Sequence, residues 1–398
     1  MIQALIHASE ILTGSGIREK DGRRVLEGDL GRIEDGAIVH DGKKILWVGP
    51  TKNLPKKFKK ARKKDLKRAQ AIVPGFVDCH THLIFAGNRS DEFARRCGGA
   101  TYEEIAAQGG GIVASVSATR KASKADLLKL AVERVEKAKS YGVRTLEIKS
   151  GYGLDFETEI KVLEVAKALK KKFPDMTFAT TFLGAHAFPK DVSKDQYMRE
   201  LMERMLPEVV RRKLADACDI FVDDGYFTVQ QARELLSKAK SLRMQIKIHA
   251  DELGNTESAA LAADIGCLSA DHLLKISDHG IQKLAGSNTV AVLLPGTAFY
   301  LKAAHAPARK LLDAGACVAL STDFNPGTCM TLNLPTIMTI GALYLGMSRA
   351  ELFSAVTYSA AKALNLHARK GTLAEGMDAD ITVLPVSRFE EIYYRFAW

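Results

Sequence analysis

His80 and His82 flank a single residue, Thr81. Side chains of an extended strand alternate between two faces, so both imidazoles project from one side and two ring nitrogens can reach one ion. Such a pair is thin evidence alone, because histidines two apart also arise by chance in cores and on surfaces. Two further donors stand in comparable places: His249 closes the run from Gln245 to Ile248, and Asp323 follows the run from Cys317 to Leu320. Three imidazoles and one carboxylate suit a borderline divalent metal, zinc or ferrous iron, and one such ion per chain is expected. An ion of this kind lowers the pKa of a bound water to about 7, which is hydrolytic chemistry at neutral pH. Asp323 can both ligate and take that water's proton. Glu252, three residues after His249, is placed to carry a proton to or from a ring nitrogen, and His272, after the run Cys267 to Ala270, to polarise a carbonyl or orient the water. The plainer alternatives are a carboxylate at a helix amino terminus for Glu252 and a hydrogen-bonded histidine behind the ligands for His272.

These residues need a scaffold that brings distant segments together. From about residue 71 short apolar runs alternate with helical stretches: Ile72-Val73, Val143 to Ile148, Thr177 to Leu183, Asp219 to Val222, Gln245 to Ile248, Cys267 to Ala270, Thr289 to Leu294 and Cys317 to Leu320. Between them, Lys124 to Ser140, Phe156 to Phe173 and Thr228 to Leu242 carry apolar residues at spacings of three and four, the pattern of surface helices. Strand and helix alternating in this way predict an α/β fold, a closed parallel (β/α)8 barrel of the TIM type, whose functional groups lie at the carboxyl ends of the strands. The histidines follow that rule. His80, His82, His186, His249 and His272 fall at or just after a strand; His7, His40, His279, His305 and His367 do not and are read as structural.

Ahead of the barrel, Ala37 to His40 and Lys43 to Gly49 surround Asp41-Gly42, a β-hairpin signal. Ala379 to Leu384 is expected to rejoin that amino-terminal β segment. The division is therefore a small β-sandwich domain from residues 1–70 and 366–398, and a barrel over 71–365.

The formal charge of +10 raises the question of a polyanionic partner. Its origin is local: ten of the 57 cationic residues and one of the 47 acids lie between Thr51 and Gln70, and elsewhere the charges nearly cancel. That stretch reads as a solvated surface segment, so no nucleic-acid partner is expected. No run approaches the length of a membrane span and no leader pattern opens the chain, so a cytoplasmic protein without a membrane partner is expected. The six cysteines include no C-x-x-C pair and read as reduced thiols. Two-fold assemblies are the commonest, so a homodimer is compatible with the sequence, although no exposed apolar stripe argues for one.

Pro74-Gly75-Phe76-Val77-Asp78-Cys79-His80-Thr81-His82 resembles the opening metal motif of the amidohydrolase superfamily, and His249-Ala250-Asp251-Glu252 resembles its mononuclear members. A closer resemblance, to the imidazolonepropionase family, rests on Phe85 to Arg89, Gly109 to Ile112, Lys149 to Leu154, Phe182 to His186 and Ser321 to Thr328. It implies opening of the five-membered ring of a small molecule, 4-imidazolone-5-propanoate, to N-formimidoyl-L-glutamate. It also implies that Arg89, Tyr152, His186 and Glu252 contact substrate, and that Asn325, Gly327 and Thr328 embrace the product's carboxylate end. Arg89 makes independent sense, because a guanidinium pairs with a carboxylate in a two-pronged geometry that lysine cannot reproduce.

The sequence departs from that family in its lysine-rich stretch and in stopping at Trp398, where relatives continue into one more β run, so a small domain that is incomplete or differently closed is expected. Asp223-Asp224 ends the fourth strand without a lysine, which argues against a two-metal centre bridged by a carbamylated lysine. A deaminase of a heterocyclic base would use much the same metal set. It leaves the joint occurrence of Arg89, Tyr152 and Asn325-Pro326-Gly327 unexplained. A scaffold that had lost its chemistry should also have lost ligands, and all four are present.

Overall fold

The computed structural model describes residues 1–99 and 110–397, so Gly109 of the glycine motif and Trp398 lie outside it. Eight parallel strand positions follow one another: Phe76–Asp78, Val143–Lys149, Thr177–Ala185, Ala217–Val222, Gln245–Ile246 continued by Ile248–Ala250, Ser269–His272, Val290–Leu293 and Val318–Leu320. Apolar residues from both faces of these strands are buried, as expected of a parallel sheet covered outside by helices and filled inside by side chains. The ends of the first and eighth strands are joined by main-chain bonds: Asp323 N–H donates to the His80 carbonyl at 3.0 Å and His82 N–H to the Phe324 carbonyl at 2.9 Å. Closure therefore falls on the residues read as metal ligands.

One expected strand belongs elsewhere. Ile72-Val73 lies in Ala71–Pro74, which pairs antiparallel with Ile381–Leu384 and parallel, at Ile72, with Ile11 of Gln3–Leu12; the first barrel strand is Phe76–Asp78. The change of sheet occurs at Pro74-Gly75. Pro74 has no N–H to continue a ladder, and Gly75 donates its N–H to the Asp380 carbonyl at 2.8 Å. A Cβ on Gly75 would collide with Arg144 and Asp380, so only glycine passes there without displacing them.

The second sheet runs Ile381–Leu384, Ala71–Pro74, Gln3–Leu12, Arg32–His40, Ile45–Pro50, with Arg62–Asp65 beside the start of Gln3–Leu12. The expected hairpin joins Arg32–His40 to Ile45–Pro50, and Asp41 Oδ1 accepts the N–H groups of Lys43 and Lys44, each at 2.7 Å. The carboxyl-terminal run Ile381–Leu384 enters the sheet of the amino-terminal strands through Ala71–Pro74, a segment expected in the barrel. Arg62–Asp65, within the lysine-rich stretch, is exposed along its whole length.

The helices begin where side-chain caps satisfy their first amides. Ser123 accepts from Asp126 N–H ahead of Lys124–Ser140, Asp155 from Thr158 N–H ahead of Phe156–Lys172, and Thr228 forms a reciprocal pair with Gln231 ahead of Val229–Ser241. In the first of these Leu127, Ala131, Val135 and Ala138 are buried, one stripe at spacings of four and three. A fully buried Leu or Val there contributes roughly 1.5–3 kcal/mol. Among the described residues no helix is long and apolar enough to cross a membrane.

Candidate metal centre and active site

Four side chains converge at the carboxyl end of the barrel. His80 and His82 follow the first strand, His249 lies in Ile248–Ala250 and Asp323 follows Val318–Leu320; all are buried. Asp323 Oδ1 lies 3.4 Å from His80 Nε2 and 3.5 Å from His82 Nε2, and donor atoms of His80, His82 and His249 fall within 4.8 Å of one another. His80 Nε2, His249 Nε2 and Asp323 Oδ1 are buried without a hydrogen-bond partner. Orphaned polar atoms are costly unless something occupies the space between them. Three inward-facing imidazoles and a carboxylate fit a divalent metal. Burial, reinforced by the Lys149 ammonium and neighbouring imidazoles, pushes the pKa values of His80, His82 and His249 well down, so the rings are neutral, the form that ligates. His272 also lies within ligand reach, forming a donor group with His80 and Asp323.

The donors are oriented from behind. Thr297 Oγ1 donates to Asp323 Oδ2 at 2.6 Å, leaving Oδ1 for the centre. His80 Nδ1 donates to Asp271 Oδ2 at 2.6 Å, while His249 Nδ1 lies 3.1 Å from Asp219 Oδ2, too poorly aligned for a full hydrogen bond. Asp78, in the first strand, accepts from Ser321 Oγ and, at 3.0 and 2.7 Å, from Thr322 N–H and Oγ1. It thereby ties the strand carrying the histidine pair to the segment carrying Asp323. Asp323 and His272 adopt positive φ values of 49° and 82°, strained for residues with a side chain and typical of functional positions.

A cavity of about 590 Å³ opens over these donors and is lined by His82, His249, His272 and Asp323 together with Arg89, Tyr152, His186, Glu252, Asn325 and Thr328. Gly327 contributes through its missing side chain: a Cβ there would land on the Arg89 guanidinium. Arg89 is already forked onto Glu92, its Nε donating to Oε2 at 3.0 Å and its Nη2 to Oε1, and Glu92 also accepts Gly111 N–H at 2.8 Å. Asn325 is occupied within its own segment: Oδ1 accepts the N–H groups of Gly327 and Thr328, both at 2.8 Å, and Nδ2 donates to the Asp323 carbonyl at 2.7 Å. His186 Nδ1 donates to the Gly151 carbonyl at 3.0 Å, leaving Nε2 as an acceptor, and burial lowers its pKa to about 4. Glu252 Oε1 lies 3.4 Å from His272 Nδ1. Burial, then the charges of Asp323 and Asp223, raise the Glu252 pKa well above the ordinary carboxyl value, whereas burial lowers that of His272 to about 3. Glu252 is thereby pushed toward its protonated form, and the His272 ring is neutral.

The amidohydrolase family model matches residues 71–394. Imidazolonepropionase of Bdellovibrio bacteriovorus is 44% identical over 382 residues, covering 95% of this chain and 89% of that protein. That of Geobacillus kaustophilus is 43% identical over 374 residues, covering 92% and 88%. The chain belongs to the imidazolonepropionase family of amidohydrolases. A solved triazine hydrolase variant (TM-score 0.72, 17% identity, 96% of this chain and 86% of that one) shares the fold. So does an adenosine deaminase from Xanthomonas campestris with bound zinc (TM-score 0.71, 17% identity, 96% and 84%).

Several residues that set this amidohydrolase site were not singled out from sequence. Asp223, noted there only because no lysine accompanies it, accepts the N–H groups of Leu253 at 2.7 Å and Gly254 at 3.0 Å. Asp251 accepts those of Thr256, Ser258 and Ala259 at 2.9, 3.2 and 3.1 Å. The loop is pinned on both sides of Glu252. Glu159 does the same for the Tyr152 loop, its buried carboxylate accepting the N–H groups of Gly151, Gly153 and Leu154 at 3.1, 2.7 and 3.1 Å. Glu159→Gln keeps the shape but turns one acceptor into a donor facing N–H groups. We expect it to lower unfolding stability by about 1–3 kcal/mol and to raise KM through Tyr152; unchanged thermal melting and unchanged KM would show that the loop holds without it. Of the remaining histidines, His7 pairs with Asp35 and His279 with Glu257, outside the donor group.

Proposed function

We propose that this chain hydrolyses the cyclic amide of 4-imidazolone-5-propanoate to N-formimidoyl-L-glutamate in histidine degradation, acting in the cytoplasm on a free small molecule. The observation that carries the reading is the convergence of unpartnered donor atoms from His80, His249 and Asp323 on the cavity that also holds Arg89. The substrate is supplied by the relatives' names at 43–44% identity. One divalent metal, zinc or iron, would be held by His80, His82, His249 and Asp323 and would supply a Lewis acid for the lactam carbonyl and a more acidic water.

The chain's own residues do the rest. Asp323 takes a proton from the attacking water, whose oxygen bonds to the carbonyl carbon. The bond from that carbon to the ring nitrogen breaks, and Glu252 gives the departing nitrogen its proton. His272, neutral and beside Glu252, orients the carbonyl. Arg89 grips the propionate, sharing its fork with Glu92, while Tyr152 and His186 flank the ring and the Asn325–Thr328 segment lies at the other carboxylate end.

The test is incubation with enzymatically generated 4-imidazolone-5-propanoate, following its absorbance and the formimidoyl product. Ammonia release without a ring-opened acid would replace this reading with deamination. Arg89→Ala should raise KM about 10–100-fold, as loss of a charge-assisted pair of 1.5–3 kcal/mol implies, with metal content intact. Loss of metal in that variant would make Arg89 a structural residue.

A further inference from the structure

Beneath the ligand histidines the barrel interior holds three carboxylates, Glu147, Asp219 and Asp271, and two ammonium groups, Lys149 and Lys247, all buried. Lysine is almost never fully buried unless paired, and a buried ion pair can be costlier than an apolar replacement, so two of them in one barrel ask for a reason. The contacts differ between the two. Lys247 Nζ lies 2.8 Å from both oxygens of Glu147, 3.1 Å from the Cys79 carbonyl and 3.8 Å from Asp271 Oδ2. Lys149 Nζ lies 2.6 Å from Asp219 Oδ2 and 3.4 Å from Asp271 Oδ2. Those are the same two oxygens that face His249 Nδ1 and His80 Nδ1.

We propose that Lys149 is a positioning residue for the metal site, its single ammonium bridging the two carboxylate oxygens that aim His80 and His249. The inference rests on the reading of those histidines as ligands. Glu147 and Lys149 are two apart in Val143–Lys149 and so share the strand's inner face. Glu147, anchored by Lys247 and by Thr181 Oγ1 at 2.5 Å, lies 3.3 Å from Lys149 on its remaining side. The ammonium therefore has carboxylates on three sides and cannot swing away. It fixes where the Asp219 and Asp271 oxygens stand: Asp271 holds His80 Nδ1 by a hydrogen bond, and the Asp219 oxygen faces His249 Nδ1 at 3.1 Å.

Simple electrostatics makes the opposite prediction, which gives the proposal a sign to be tested. Deleting a cation behind a metal site should tighten metal binding if only charge mattered; it should weaken binding if Lys149 positions the ligands. Zn²⁺ titrated into the metal-free full-length chain against a chromophoric chelator reads this without substrate. Lys149→Met should raise the metal Kd by about 10–100-fold, the usual effect of losing an orienting partner, with a changed Co²⁺ absorption band. Lys247→Met, which removes equal charge but bonds Glu147 and stands 3.8 Å from Asp271 Oδ2, should raise Kd by a clearly smaller factor, because it leaves the contact of Lys149 with Asp219 in place. Equal or tighter binding in Lys149→Met, or the same loss in both variants, overturns the proposal. If Lys149→Met does not fold, Asp271→Asn tests the same link, and wild-type affinity there overturns it. A wild-type chain that binds Zn²⁺ but leaves 4-imidazolone-5-propanoate untouched would end the substrate reading and leave this one standing.

Discussion

Asp323→Asn should reduce kcat/KM by at least about a thousandfold, within the range for losing a general base, and should lower metal occupancy in the same preparation. The substitution keeps the volume, so what it removes is specific. Oδ1 stands between His80 and His82, and Oδ2 accepts from Thr297. An amide can satisfy Thr297 through its oxygen only by turning its NH₂ toward the ligand nitrogens, where a metal would be. Folding stability should respond oppositely. In the metal-free chain burial raises the Asp323 pKa to about 7, against 3.8 for the ordinary group. The native state then binds more protons than the unfolded state between those values, so this carboxyl's contribution to stability falls as pH rises from about 4 to 7. Asp323→Asn removes that decline. Denaturant titrations of metal-free wild type and variant at pH 4 and 7 should diverge at the higher pH, with the variant more stable; parallel behaviour would show that Asp323 is not held against its charge.

The converging donors were readable in the sequence because their logic is local. A histidine pair with period two, and donors at the ends of the fifth and eighth strands, are patterns that strand geometry converts directly into position. The first strand was misassigned for an equally local reason. Ala71–Pro74 and Phe76–Asp78 are both short, apolar and separated by one glycine, and nothing in their composition says that they belong to different sheets. The residues that orient the ligands were harder. Thr145, Glu147 and Lys149 alternate along a strand whose interior should be apolar, and that was the available signal, but lysine and glutamate are ordinarily read as surface residues. Glu92 was within reach too, three residues beyond Arg89 at the start of Ser90–Cys97, the spacing of a helix-side ion pair. What no spacing could have shown is that Asp223 and Asp251, from different strands, hold one loop from two directions.

Glu252→Gln should lower kcat by about 10²–10⁴-fold, the usual worth of a general acid, while leaving KM little changed and metal content intact. Glu252 is not among the converging donors, and its loop is fixed by Asp223 and Asp251 rather than by its own carboxyl, so glutamine should sit where glutamate does. The difference is the proton. Burial and the nearby Asp323 and Asp223 keep the Glu252 carboxyl protonated above the usual carboxylate range, which lets it give a proton to the departing nitrogen; an amide can donate a hydrogen bond but cannot transfer that proton. The pH profile should carry the same signature. An acid that must be protonated is lost as pH rises through its pKa, so wild-type kcat should fall on the alkaline side and the variant should lack that limb. If the variant instead sheds its metal, Glu252 belongs with the ligands. If kcat survives with the alkaline limb in place, the proton reaches the nitrogen from another group, and Glu252 is not the acid.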